Sequence, residues 1–200
     1  MSQYSSMLIW MCALHCEAKP VIDFYRLKKL SGKNDFDIYL SQHMACIVSG
    51  MGSRNMTQAI HRANSLFAQR GAITWINLGI AGDLNLAVGT VVLASRVKQL
   101  NTPGWLETRS TIEHTFVSRP VTSVGAENTD YEASTLFDME AYAFIQGASL
   151  YAPLQQCQSI KVISDNRKTA PHRNKARISR LIADHMQSIA DYAEGLQQST

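Results

Sequence analysis

The feature that most constrains this chain is the regular alternation of two kinds of apolar segment. Short runs rich in β-branched and aromatic residues occur at MLIWMCAL, FDIYLSQ, MACIVSG, ITWINLG, TVVLASRV, a weaker IEHTFVS, and SIKVIS, and such runs read as strands buried on both faces. Between them lie segments of helical period. RNMTQAIHRANSLFAQRG places Met56, Ile60, Ala63 and Phe67 on one side and ends at Gly71, a C-cap. DMEAYAFIQGASLYAP stops before Pro153, and KARISRLIADHMQSIADYAEGL carries Ile178, Leu181, Ile182, His185, Ile189 and Tyr192 on one stripe. Interleaving of this kind predicts an α/β architecture, a mixed central sheet flanked by helices on both faces.

Two hundred residues fit one domain spanning 1–200, and a 46% apolar, 18% charged composition is that of an ordinary globular protein. A net charge of +3 is too small to argue for nucleic acid. The apolar stretch from Met7 to Leu14 has no basic residues before it and is broken by His15 and Glu17, so it is expected to be a buried strand and not a secretory leader. No run is long enough to predict a membrane span. Four sparse cysteines, Cys12, Cys16, Cys46 and Cys157, favour reduced thiols and a cytoplasmic setting. Cys12, His15 and Cys16 do not share a face if a strand turns there, and no metal site is expected.

Ligands of open α/β sheets sit outside the carboxyl ends of strands, so the residues just after each strand are the ones to weigh. The glycine turns SGMGS (49–53) and LGIAGDL (78–84) are either plain tight turns or a cradle for a ligand; neither is a dinucleotide or P-loop motif. Glu17 follows the first strand and Asp165 the last, and each is either a solvated or capping carboxylate or a working one. Glu140 is harder to place in solvent. It stands among Met139, Ala141, Tyr142, Ala143 and Phe144, and its helical neighbours Ala143, Phe144 and Gly147 offer no cation. A carboxylate is almost never buried unpaired, so its partner comes from elsewhere in the fold or from a ligand.

The order of these motifs resembles the nucleoside phosphorylase superfamily, and within it the 5′-methylthioadenosine/S-adenosylhomocysteine nucleosidases. The resemblance is carried by Ala13 to Glu17, Ser49 to Gly52, Asn77 to Leu84 with Val88 to Val92, Met139 to Ala141, and Ile163 to Asp165. It implies a nucleoside phosphorylase-like fold and hydrolysis of a purine nucleoside's N-glycosidic bond. It also implies that Glu17 activates the attacking water and that Glu140 grips ribose hydroxyls with Met139 against the sugar. Asp165, beside Ser164, helps protonate the leaving purine at N7, and Ala81 and Gly82 line the sugar side. The residue types suit the reaction: an oxocarbenium-like transition state needs an acid for the leaving base, a base for water, and anchors that fix the sugar.

The superfamily also holds phosphorylases, which commonly carry a GDPxR-like loop where this chain has ALHCEAKP. An acidic Glu17 suits water and repels phosphate, so hydrolysis is favoured, with phosphorolysis of a 5′-modified nucleoside as the alternative. The family's Asp-Phe base-binding signature is absent, and VTSVGAENTDYEAS (121–134) stands in its place; Val124, Gly125 and Tyr131 are the candidate base contacts. That replacement also motivates a second alternative, a nucleoside-binding protein without turnover. The stretch 166–180 holds six Lys/Arg and no acid, either a solvated face or a source of anion-binding cations in Arg167 and Arg173, with Arg54 as a third. No organic cofactor is implied, and a homo-oligomer, a dimer, is expected by resemblance alone.

Overall fold

The computed structural model describes residues 6–127, 135–171 and 174–199. Ten strands form one sheet: β1 (Met7–Cys12), β2 (Lys28–Lys29), β3 (Asp37–Leu40), β4 (Met44–Val48), β5 (Ile73–Asp83), β6 (Val91–Gln99), β7 (Leu106–Glu107), β8 (Val117–Ser123), β9 (Leu136–Asp138) and β10 (Cys157–Asn166). Five α-helices join them: α1 (His15–Phe24), α2 (Ser53–Phe67), α3 (Ala141–Ala148), α4 (Lys175–Ala183) and α5 (Met186–Gln198).

The central strand is β5. Its residues 73–77 pair in parallel with β1, residues 75–83 pair in parallel with β10, and Gly82 pairs antiparallel with β9. Because β10 also pairs with β6, β6 with β8, and β8 with β9, the sheet closes into a ring β5–β10–β6–β8–β9, from which β1, β4, β3 and β2 extend as an open wing. Ring closure leaves the β5–β10 end without an exposed edge.

Strand alternation builds two cores. Met7, Ile9 and Met11 face the cluster shared with α2 and α3, while Leu8, Trp10 and Cys12 face that shared with α1, α4 and α5. The helical stripe Met56, Ile60, Ala63 and Phe67 is buried as its spacing predicts, and Gly71 adopts φ +110 after a short 3₁₀ turn.

Four elements differ from the sequence reading. ALHCEAKP is not a turn, since helix α1 starts at His15. The LGIAGDL segment is extended through Asp83; glycine there serves close side-chain approach, not a tight turn. The strand expected over IEHTFVS falls later, on VSRPVTS, where Pro120, which has no N–H to give, lies opposite the β6 register shift at Ala94/Arg96. The single C-terminal helix is two, broken at Asp184 and His185, and both halves keep apolar residues, Ile182 and Met186, against the same core.

Candidate active site

Glu17 enters the site because α1 begins immediately beyond β1. In the first turn its side chain folds back to accept from the Leu14 N–H at 2.8 Å, satisfying a donor that the helix start leaves free. Its other oxygen accepts from the Ile80 N–H at 3.0 Å, on β5. The residue is 4% exposed. Burial pushes its pKa up, and Lys161 leads the forces that pull it back, followed by the Ile80 and Leu14 amides. A Cβ at Gly79 would lie 2.9 Å from Glu17 Oε1, so a bare backbone is what admits the carboxylate.

Glu140 is the N-cap residue of α3 and is buried. The partner its neighbours could not supply is a backbone amide: Oε1 accepts from Gly52 N–H at 2.6 Å. Gly52 closes the SGMGS turn with φ +92, a conformation open to glycine, and stands at the start of α2. Burial first, then the charge of Asp138, pushes Glu140 up to about 7, against the pull of Lys161 and the Gly52 N–H.

Two residues that the sequence reading passed over join these acids. Asp138, at the end of β9, accepts from Ser123 Oγ at 2.6 Å and from the Ala141 N–H at 2.8 Å, and its Oδ2 lies 2.8 Å from Lys161 Nζ. Both side chains of that ion pair are 1% exposed. The signal was present in SIKVIS, a lysine in the middle of an apolar strand, and the argument applied to Glu140 applies to it equally.

Asp165 follows a bulge in β10, where the register against β5 shifts between Ile163 and Asp165. The extra residue breaks strict alternation, so the consecutive Ser164 and Asp165 both line the cleft. Ser164 Oγ donates to Asp165 Oδ1 and lies 3.4 Å from the Ala81 carbonyl.

These elements converge on one cleft of about 170 Å³. Of the sequence candidates, Glu17, Ala81, Gly82, Val124, Met139, Glu140, Ser164 and Asp165 line it, joined by Leu14, Met51, Phe137 and Asp138. Gly125 is exposed and not among the lining residues. Arg54 and Arg167 do not line it either. Arg54 is on the exposed side of α2, away from the buried Met56–Ala59–Ile60 stripe, and Arg167 is exposed in the tight turn closed by Asn166 and Thr169. Arg173 and Tyr131 lie outside the described residues. Among the described residues, no lysine or arginine lines the cleft.

A nucleoside phosphorylase-like α/β fold whose cleft is lined, among the described residues, by five acids, Glu17, Glu127, Asp138, Glu140 and Asp165, is the class this geometry defines. No family model and no curated protein matches the sequence, but solved structures do. The chain is similar to an MTA/SAH nucleosidase (MTAN) of Chlamydia trachomatis, with a TM-score of 0.71 and 26% identity over 94% of this chain and 98% of that one. It is similar in fold to the 5′-methylthioadenosine nucleosidase of Arabidopsis thaliana, at TM-score 0.76 and 18% identity over 96% of each chain. The same holds for the nucleosidase of Colwellia psychrerythraea, solved with adenine, at TM-score 0.75 and 15% identity over 96% of each chain. The fold is that of these nucleosidases, as the motif order implied.

Proposed function

We propose that this protein hydrolyses the N-glycosidic bond of a purine nucleoside of the methylthioadenosine or S-adenosylhomocysteine type and releases the base. The observation that carries the reading is one cleft that gathers Glu17, Glu140 and Asp165 and has no cation among its described lining residues. In this reading Glu17, fixed by two backbone amides, takes the proton of a water that attacks the anomeric carbon. Asp165, beside the Ser164 hydroxyl, delivers a proton toward N7 of the departing purine. Glu140 accepts from the ribose hydroxyls with its free oxygen, while Met139 packs on the sugar and Val124 on the base. The Chlamydia trachomatis nucleosidase has been solved with MTA bound and with adenine bound, which supports these ligands as the first to try.

A cleft lined by acids disfavours a phosphate nucleophile, since like charges repel strongly in a low-dielectric site. The deciding experiment incubates a panel of purine nucleosides with the protein, with and without phosphate, and follows base by chromatography. Release of free base and free pentose without phosphate is expected. Pentose 1-phosphate as the product overturns hydrolysis in favour of phosphorolysis, and binding without release over hours makes the chain a nucleoside binder. We also propose a homodimer, supported by the 58% exposed Met51 at the cleft and the 68% exposed Leu150. The four buried, free cysteines fit a reducing compartment such as the cytoplasm.

A further inference from the structure

The cleft chemistry leaves a buried ammonium without a task. Lys161 stands in the middle of β10, 1% exposed, and is not among the residues lining the cleft. An ammonium so placed needs partners to remain charged. Asp138 is the direct one, at 2.8 Å, and is itself fixed by Ser123 Oγ and the Ala141 N–H. Two further acids act on the same ammonium. Desolvation pulls the Lys161 pKa down, yet Asp138, Glu140 and Glu17 together outweigh it, and the ammonium is held above the ordinary lysine value.

The geometry explains why three acids reach one cation. Lys161 pairs across the sheet with Gly79. A Cβ on Gly79 would lie 2.9 Å from Glu17 Oε1 and 3.5 Å from Lys161 Nζ, so the ammonium and the Glu17 carboxylate both reach the space that the missing side chain of Gly79 leaves. Glu17 lines the cleft, and Lys161 sits behind its wall. The other titratable groups that bear on Glu17 are Glu140 at the start of α3, Cys16 on α1 and Cys12 on β1. Both thiols are held up, Cys12 by its hydrogen bond with Cys46 and then burial, Cys16 by burial. They therefore stay neutral, and the cation that acts on Glu17 is Lys161.

We propose that Lys161, anchored by Asp138, is a positioning residue that serves Glu17 as its buried counter-charge across Gly79, without touching substrate. This rests on the reading of Glu17 as the base. Asp138 sets where the ammonium sits, and the ammonium opposes the upward push of burial on Glu17 and Glu140. Arginine keeps the charge and suits the role; an apolar residue removes it.

The test compares the parent with Lys161→Arg, Lys161→Met and the double variant Lys161→Met/Asp138→Asn. The double variant removes both members of the pair, so no unpaired buried charge is left to unfold the protein. Side-chain carboxylate ¹³C resonances are titrated with pH, with Glu17→Gln assigning the Glu17 signal. In parallel kcat/KM is followed against pH on a nucleoside that the parent cleaves. In both Met variants the Glu17 midpoint is expected to rise by about 1 pH unit or more. The acid limb of kcat/KM moves the same way, and kcat/KM at pH 7 falls by about 10²-fold or more. Lys161→Arg is expected to restore both the midpoint and the limb. A Glu17 midpoint unmoved in the folded double variant overturns the inference. So does an Arg variant that behaves like Met. Because the titration needs no turnover, a parent that releases no base while Glu17 still shifts sinks the nucleosidase reading alone. Should neither Met variant fold, Lys161→Gln, which keeps a polar end for Asp138 and removes the charge, gives the reading, and a Glu17 midpoint that fails to rise overturns the inference.

Discussion

At the scale of the residue, Glu140 is the test of the site's logic. Its folded pKa of about 7 stands above the ordinary value of 4.5. Between those limits the folded protein holds a proton that the unfolded chain has released, so this residue's contribution to stability is fully present below pH 4.5 and is lost as pH rises through 7. Glu140→Gln removes that dependence and keeps an oxygen for the Gly52 N–H. The melting temperature of Glu140→Gln relative to the parent is therefore expected to climb from pH 4.5 to 7 and then level, as thermal melts across that range will read. Activity moves the other way. Charge-assisted hydrogen bonds are worth roughly 1.5–3 kcal/mol each, and in the proposed role, where Glu140 grips ribose hydroxyls, the same variant is expected to lose about 10²-fold or more in kcat/KM. A purely structural Glu140 would lose stability and leave kcat/KM in place. Most of the site was legible at this scale, because Glu17, Glu140 and Asp165 are acids standing where apolar residues or strand ends surround them. Lys161 obeys the same rule and was legible too. Arg54 and Arg167 misled because charge in a sequence carries no direction: each sits on a surface turn or helix face, and the other described cations of 166–180, Lys168, Lys175, Arg177 and Arg180, are exposed too.

At the scale of the element, glycines decide how closely neighbours approach. Gly79 in β5 leaves room for Glu17 Oε1, and Gly79→Ala forces the carboxylate aside without touching the backbone ladder. We expect kcat/KM to fall by about 10²-fold, within the span attributed to a displaced general base. The melting temperature should shift only slightly, since the atom that must move ends a side chain. Gly147, near the end of α3, packs under α2, and a Cβ there would meet Ile60 Cδ1 at 3.1 Å. Alanine favours the helix by about 0.8–1.0 kcal/mol over glycine, so the contact sets the sign. Gly147→Ala is expected to gain nothing in the parent and to stabilise an Ile60→Val background, which lacks that methyl, by about 0.5–1 kcal/mol. Chemical denaturation of the four members of this cycle measures it. Element type was legible wherever periodicity ran for three turns or more, as in α2. It failed where the deciding fact was a pairing. LGIAGDL stays extended because β10 and β9 are both there to bond it, and neither partner is written in those seven residues.

At the scale of the whole molecule, the closed ring β5–β10–β6–β8–β9 and the open wing are expected to differ in stability. Amides of β1, β5 and β10 lie between paired strands and under helices on both faces, whereas β2 is a two-residue exposed edge. Native-state hydrogen exchange should therefore find the central strands opening only with global unfolding, and the β2–β3 edge opening locally at much lower free energy. The layer architecture was legible in the alternation of segments. The closure was not, since it depends on β5 offering its second half to two partners at once. That closure also ties charge to topology. Glu17, Asp138 and Glu140 all precede Lys161 along the chain, and β10, the last strand in sequence, carries that cation into the sheet between β5 and β6. One strand therefore completes the ring and supplies the counter-ion of the acids gathered around it.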